Sequence, residues 1–485
     1  MPAWVQNAVF YQIFPDRFAK SDRVAKPAHV ESWDSEPTTF GYKGGDLRGI
    51  VEHLDYLQIL GVTALYLNPI FQSASNHRYH THDYYHVDPL LGGDEAFDAL
   101  IAACDERNMR VVVDGVFNHA SRGFLPFNDI LENGQASPWL DWFNVTAFPP
   151  NAYDTSRPPD YDAWFGLHAL PRLNTDNPDV REFIMRVGEH WIERGASGWR
   201  LDVPNEITAP GFWAEFRQRI KAVDPDAYIV GEIWGDSRDW LQGDQFDATM
   251  NYVFAESVIA FVGGDRVVGK MIEGRGYHPA PPLDGPGFAD KIDWMLSLYG
   301  WPVTLAQLNL LDSHDTSRFL SIVGGDEAAL RLALALQCTF PGAPCIYYGD
   351  EIGMEGGPSD ALARRTFPWD HRGSWNTDLL DWYRQAIHLR HDYAALRTGA
   401  YHRLHAAGAV FAFGRTWDGQ ALVTIVNSGA DAVSCHVPLA SLGEGGTGVE
   451  ARVLLGQAER VALADRSLTV EMPARSVVVL DVSPA

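Results

Sequence analysis

Cysteine is scarce in this chain. Its four thiols, Cys104, Cys338, Cys345 and Cys435, are too few and too scattered for a disulfide framework, and none forms a C-x-x-C or Cys/His metal pattern. Reduced thiols are expected. Basic residues are also short: 38 Lys and Arg against 63 Asp and Glu leave a formal charge of -25. Nucleic acids and anionic membranes attract basic patches, so neither is expected as a partner, and the surplus of acid reads as solubility. No run of about 18 apolar residues is present to span a bilayer. The first residues, MPAWVQNAVFYQIFPDRF, lack the basic and apolar regions of a signal peptide. A soluble cytoplasmic protein is expected. What the chain does have is 485 residues, 46% hydrophobic and 12% aromatic, enough for a large core and more than one domain.

Short apolar, β-rich runs recur over the first 350 or so residues, most of them preceded or followed by a segment of helical period. They fall at 8 to 14, 62 to 68, 110 to 116, 198 to 203, 228 to 233, 246 to 252, 308 to 315 and 344 to 351. Strands alternating with helices indicate a parallel sheet, and eight such units predict an α/β fold of the (β/α)8 TIM-barrel type. The rhythm breaks at 117 to 176, a stretch rich in Pro, Asn, Asp, Trp and Phe. A structureless loop of that length is disfavoured in a compact domain, so a small excursion domain with its own packing is expected beyond the third strand. After a helix-like segment at 379 to 396, the runs AVFAFGRTW, QALVTIVNS and RSVVVLDV predict an antiparallel β-sandwich over 398 to 485. The barrel then comprises 1 to 116 and 177 to 397. Tyr401, Phe411, Phe413 and Trp417 alternate as core residues of that last domain do, and packing is preferred to starch binding as their role.

The run GWRLDV carries a charged pair on one face. Strand side chains alternate, so Arg200 and Asp202 point into one space while Trp199, Leu201 and Val203 point into the other. A lone pair of this kind reads first as a structural ion pair. Its context favours more. Catalytic groups of such barrels sit at the C-terminal ends of the strands, and there the chain places Asp114 (VVVDGVFNH), Asp202, Glu232 (IVGEIW) and Asp315 (LLDSHD), with His119 and His314 beside them. Two carboxylates, one protonated and one ionised, are what glycosidic cleavage needs. Arg200 is expected to keep Asp202 ionised. Glu232, between apolar Ile233 and Trp234 and near other acids, is expected to hold its proton.

The motifs DGVFNH (114 to 119), GWRLDVPNE (198 to 206), GEIW (231 to 234) and LLDSHD (310 to 315) resemble, in order and spacing, the four signature regions of the alpha-amylase family, glycoside hydrolase family 13. LPRLN (170 to 174), WLQGDQFDATMNYVF (240 to 254) and PCIYYGDEIGMEGG (344 to 357) look most like its cyclomaltodextrinase, neopullulanase and maltogenic amylase group. The resemblance implies Asp202 as nucleophile, Glu232 as acid/base and Asp315 as the carboxylate that steadies the transition state. It implies that Arg200, His119 and His314 line the sugar subsite, that Tyr79 is the aromatic platform beneath it, and that Trp234 contacts substrate. Asp114 matches an acid that is usually structural, and Asn118 one that binds calcium in some members. A retaining double displacement on alpha-1,4 bonds of maltooligosaccharides, cyclodextrins or pullulan follows.

The departures bear on specificity. The chain opens at the first barrel strand, where that group carries an N-terminal domain that builds its dimer, so that dimer is not expected and the oligomeric state stays open. His80 stands where an aspartate is common and Gly235 where a histidine is common. Glu206 reads either as an acceptor-side contact or as a solvated acid at a helix start. No cofactor is required by this reading. Calcium wants six to eight oxygen ligands, and Asp154, Asp160 and Asp162, the nearby candidates, read equally as turn formers. A glucan-transferring enzyme uses the same three acids and stays as an alternative. A non-catalytic barrel subunit of a membrane transporter is disfavoured, because all three acids are present and no span is.

Overall fold

A computed structural model describes residues 1–278, 281–446 and 450–484; residue 485, the expected limit of the last domain, lies outside them. The eight apolar runs form eight parallel strands: β1 (Phe10–Ile13), β2 (Ala64–Leu67), β3 (Arg110–Gly115), β4 (Gly198–Leu201), β5 (Tyr228–Gly231), β6 (Ala248–Thr249), β7 (Leu308–Leu310) and β8 (Ala343–Tyr347). Their order is β6-β5-β4-β3-β2-β1-β8-β7. A parallel bridge between Met250, just past β6, and Leu308 joins the two ends, so the sheet closes on itself.

The strands are short and nearly all buried, because helices cover the outside of the barrel and side chains fill its inside. On β4, Trp199 turns outward to pack on Phe117 at 5.3 Å between ring centres and gives its indole N–H to the Gly188 carbonyl of the helix Pro178–Glu193. That helix begins where Asn177 accepts the Asp179 and Val180 amides and Pro178 supplies a preset φ. Arg200, one residue on, faces the barrel interior and is fully buried.

Between Gly115 and Pro178 the chain makes its excursion. The helix Leu125–Asn133 brings Phe127 against Phe143 (4.9 Å) and Tyr161 (4.7 Å), and isolated bridges His119–Arg172 and Ala163–Pro171 tie the segment back to the end of β3. Beyond the last barrel helix, Thr377–Asp392, eight strands follow: β9 (Ala400–Ala407), β10 (Val410–Trp417), β11 (Gln420–Asn427), β12 (Val433–Pro438), β13 (Arg452–Gly456), β14 (Arg460–Ala464), β15 (Ser467–Met472) and β16 (Ser476–Asp481). Two antiparallel sheets, β9-β10-β11-β16-β13 and β12-β15-β14, enclose a core that includes Ile425, Val437, Val470 and Leu480. Phe411 and Phe413 leave that core and pack on the barrel, at 5.0 Å from Phe288 and 5.9 Å from Phe340. Trp417 differs from expectation: it ends β10, at the turn into β11, and is 50% exposed.

The lower end of the barrel is held by cations. Arg390, fully buried, donates to the carbonyls of Cys338, Phe340, Leu396, Gly342 and Gln6 at 2.6 to 3.3 Å. Arg415 of β10 reaches the Thr339 carbonyl at 2.9 Å. Both cap the C-terminus of the helix Glu327–Thr339, whose last carbonyls have no partner within the helix and carry its negative dipole end. Arg390→Met leaves those buried carbonyls unpaired, so a loss on the order of 3 kcal/mol is expected. Guanidinium melts of the variant and the wild type measure it, and an unchanged first midpoint refutes this anchoring role.

Candidate active site

The upper ends of the strands gather the predicted acids around one guanidinium. Nη1 of Arg200 lies 3.0 and 3.1 Å from the two oxygens of Asp114 and 3.1 Å from Oδ1 of Asp202. Nη2 lies 2.9 Å from Oε2 of Glu232, but off the line of a hydrogen bond. Asp114 ends β3, Asp202 follows β4 and Glu232 follows β5, so three neighbouring strands place three carboxylates on one cation. Tyr66 and Tyr79 each donate to Oδ2 of Asp114 at 2.9 Å, which satisfies the deepest acid. The side chains of Asp202 and Glu232 are 10% and 6% exposed, and that of Asp315, beyond β7, is 33% exposed. The last opens furthest to solvent.

The backbone is strained where it turns the acids inward. Val203, a β-branched residue, sits at φ 36°, a region such residues rarely adopt, and its N–H points at Oε2 of Glu232 (3.1 Å). Trp234 also differs from the apolar neighbour expected, because its indole N–H donates to Oε1 of the same carboxylate at 3.2 Å. Its ring stacks on Tyr252 at 3.5 Å. Gly276, at φ +84°, presses against the other side: a Cβ there would lie 2.2 Å from the Trp234 ring, so the close approach requires glycine.

Tautomers follow from the donors. Gln12 of β1 gives an N–H to Asn68 (3.1 Å) and another to Nδ1 of His314 (2.9 Å), which places the His314 proton on Nε2. That proton serves the Tyr79 oxygen at 2.6 Å and Oδ2 of Asp315 at 3.2 Å. Burial keeps His314 neutral, well below its ordinary range, and Arg364 adds to the effect. His119, pushed down by burial to about 3, stacks on Trp164 of the excursion at 5.1 Å, with its Nε2 buried. Glu206 stays at the rim, 43% exposed, 3.8 Å from Arg172. His80 is buried below its ordinary range, at about 4, with its ring edge-on to His77. Gly235 faces open space.

One expectation needs correction. Arg200 does not reserve its charge for Asp202. Burial and then the facing Glu232 drive Asp202 well above the ordinary carboxylate range, and Arg200 only opposes them. Glu232 is pushed up to about 7 by burial, with Arg200 opposing and Asp315 adding to the rise. Three buried acids on one guanidinium share protons, because like charges at this range are not all ionised together.

The candidate calcium ligands are engaged with protein partners. Asn118 turns its side chain to His119, Asp154 accepts from Ser156, Asp160 pairs with Arg157 and Asp162 accepts from Asn144. Among the described residues no three acidic, histidine or cysteine side chains converge as metal ligands.

A family model described as "Alpha amylase, catalytic domain" matches residues 12–370. The chain belongs to the alpha-amylase family. Its relatives there include the cyclomaltodextrinase of Geobacillus thermopakistaniensis, 41% identical over 97% of this chain and 76% of that one. Neopullulanase 2 of Thermoactinomyces vulgaris is 41% identical over 88% of this chain and 70% of that one. Among solved structures, the debranching enzyme of Nostoc punctiforme superposes with a TM-score of 0.91 at 51% identity, over 99% of both chains. This alpha-amylase-family barrel also uses residues that the sequence reading missed. Arg364 lies 3.4 Å from Oδ1 of Asp315 and holds the His314 carbonyl at 2.8 Å, yet it sits in a loop with no periodic signal. Gln12 was readable, as a polar residue pointing inward from an apolar strand.

The raised Glu232 also has a stability signature. A carboxyl that holds its proton more tightly when folded contributes most at low pH, and that contribution is lost as pH rises from about 4.5 to about 7. Glu232→Gln removes the loss. Relative to the wild type it is expected to gain about 3 kcal/mol more at pH 8 than at pH 4. Calorimetry at the two pH values measures the difference, and an equal offset at both contradicts the burial of this acid in the protonated form.

Proposed function

We propose that this alpha-amylase-family enzyme hydrolyses α-1,4-glucosidic bonds of short, cyclic or branched α-glucans with net retention. Three carboxylates and Arg200 converging at the C-terminal end of the barrel carry this reading. Glu232, protonated up to about pH 7, gives its proton to the glycosidic oxygen. Asp202 attacks the anomeric carbon as that bond breaks, and a covalent glycosyl–Asp202 ester forms. The proton that Asp202 holds at rest passes to the acids that share it or to solvent before the attack, and the positive charge that grows on the sugar ring favours that ionised form. The Glu232 carboxylate then takes a proton from water, whose oxygen attacks the anomeric carbon from the face the leaving group vacated, and Asp202 departs as a carboxylate. Asp315, oriented by His314 and Arg364, holds ring hydroxyls of the distorted sugar, and the Tyr79 ring, stacked beside His314, bounds the same space. No metal is assigned a part.

The preference for short or branched chains rests on kinship. The solved relative matched end to end carries the name of a debranching enzyme, and the curated ones are named cyclomaltodextrinase and neopullulanase. Tests begin with Glu232→Gln and Asp202→Asn on maltotriose, β-cyclodextrin, pullulan and soluble starch. Each variant is expected to lose about 10³-fold in kcat. Early NMR spectra of wild-type digests are expected to contain the α-anomer first, and kcat/KM is expected to fall on the alkaline side near pH 7, as Glu232 gives up its proton. A first-formed β-anomer refutes the double displacement; a fully active Glu232→Gln refutes the acid.

A further inference from the structure

Arg200 has one more donor, and it points away from every acid. Its Nε lies 3.4 Å from the Sδ of Met250, the residue whose bridge to Leu308 closes the barrel. Met250 is 1% exposed, and its sulfur also faces the Tyr252 hydroxyl at 3.9 Å. A thioether accepts weakly and carries no charge. These contacts complete a circuit. Arg200 bonds to Met250, Met250 to Tyr252, Tyr252 stacks on Trp234, Trp234 bonds to Glu232, and Glu232 faces Arg200 again.

We propose that Met250 is a positioning residue: its sulfur anchors Nε and so sets the roll of the Arg200 guanidinium, which divides the one buried cation between Asp202 and Glu232. The planar guanidinium is fixed at two corners, by Nη1 on Asp114 and Asp202 and by Nε on Met250. Cδ, Nε and Nη1 all lie in the guanidinium plane, so holding Nε and Nη1 while the side chain fixes Cδ also fixes where Nη2 points. Nη2 therefore stands 2.9 Å from Glu232 yet stays out of line with it. The misaligned contact leaves Glu232 able to keep its proton. An acid at position 250 would compete for the cation, a neutral acceptor keeps Nε tethered, and an aliphatic residue would release it. Released, the guanidinium rolls until Nη2 lines up with Oε2, which strengthens that pair and favours the ionised form of Glu232. The titratable and charged groups that face Glu232 are Arg200, Asp202, Asp114, Asp315 and Tyr252, and none of them changes in this substitution.

The inference rests on Glu232 as the acid of the proposed reaction, and the test separates the two. Met250→Leu keeps the volume and apolar character that cores tolerate, while Met250→Gln restores a neutral oxygen acceptor. Both are compared with the wild type and with Glu232→Gln on maltotriose, across pH, alongside thermal melts. Met250→Leu is expected to lose about tenfold in kcat with KM within about twofold, and its alkaline limb is expected to move to lower pH. Met250→Gln is expected to retain the wild-type pH profile. A wild-type profile and kcat in Met250→Leu overturn the proposal, and so does an equal loss in both variants with no movement of either limb, which marks packing alone. An active Glu232→Gln strikes the functional reading instead.

Discussion

The buried guanidinium of Arg200 is the interaction on which the active end of this molecule depends. Removing a cation from water is costly unless its donors are paired, and here the pairing is arranged from three strands and a barrel seam. Three carboxylates around it exceed what one charge neutralises, and the fourth acid, Asp315, leans on Arg364 instead. The excess has a consequence for the whole fold: the pocket keeps protons that the same acids would release in the unfolded chain, so the site is least favourable to folding where it is most ionised. Chemistry that needs one protonated and one ionised carboxyl follows from the same imbalance.

Much of this was legible in the chain, and the reason is geometric. Period-two alternation in GWRLDV fixes which residues share a face, and the rule that barrel strands end at one pocket converts positions up to about 200 apart into neighbours. Both steps use backbone geometry alone. All eight barrel strands and the antiparallel sheets beyond them were therefore readable from pattern. What failed was the division of charge. That Arg200 lies beside Asp202 follows from spacing, but that its other nitrogen faces Glu232 depends on the roll of a side chain, which no periodicity encodes. Trp234 failed for the same reason. Counted as apolar, it acts on Glu232 through its one polar atom. Arg364 and Trp164 come from loops, where position relative to the pocket is set by folding of the whole chain.

The two ends of the barrel solve opposite electrostatic problems with the same residue type. At the lower end, Arg390 and Arg415 are buried without any carboxylate and are satisfied by backbone carbonyls at the C-terminus of the helix Glu327–Thr339. Those partners are partial charges fixed in the fold that take up no protons, so the cations there serve as anchors. At the upper end, Arg200 meets full charges on side chains that can take up or lose protons. The difference lies in what each arginine faces.

The upper end also accepts strain beside its acid. Val203 at φ 36° and Gly276 pressed to the Trp234 ring both lie at the upper end, within reach of Glu232. Strain of this kind persists only when the surroundings over-determine it. Here they do: β4 and β5 fix the residues before Val203 and Glu232, the Val203 amide holds one oxygen of the carboxylate, and the indole held by Gly276 and Tyr252 holds the other. A carboxylate with both oxygens engaged by rigid donors has little freedom to follow the guanidinium, so the alignment between them is set by the guanidinium's own tethers. Control over the acid thus passes to the seam of the barrel, where the last strand pair is closed by the single bridge at Met250.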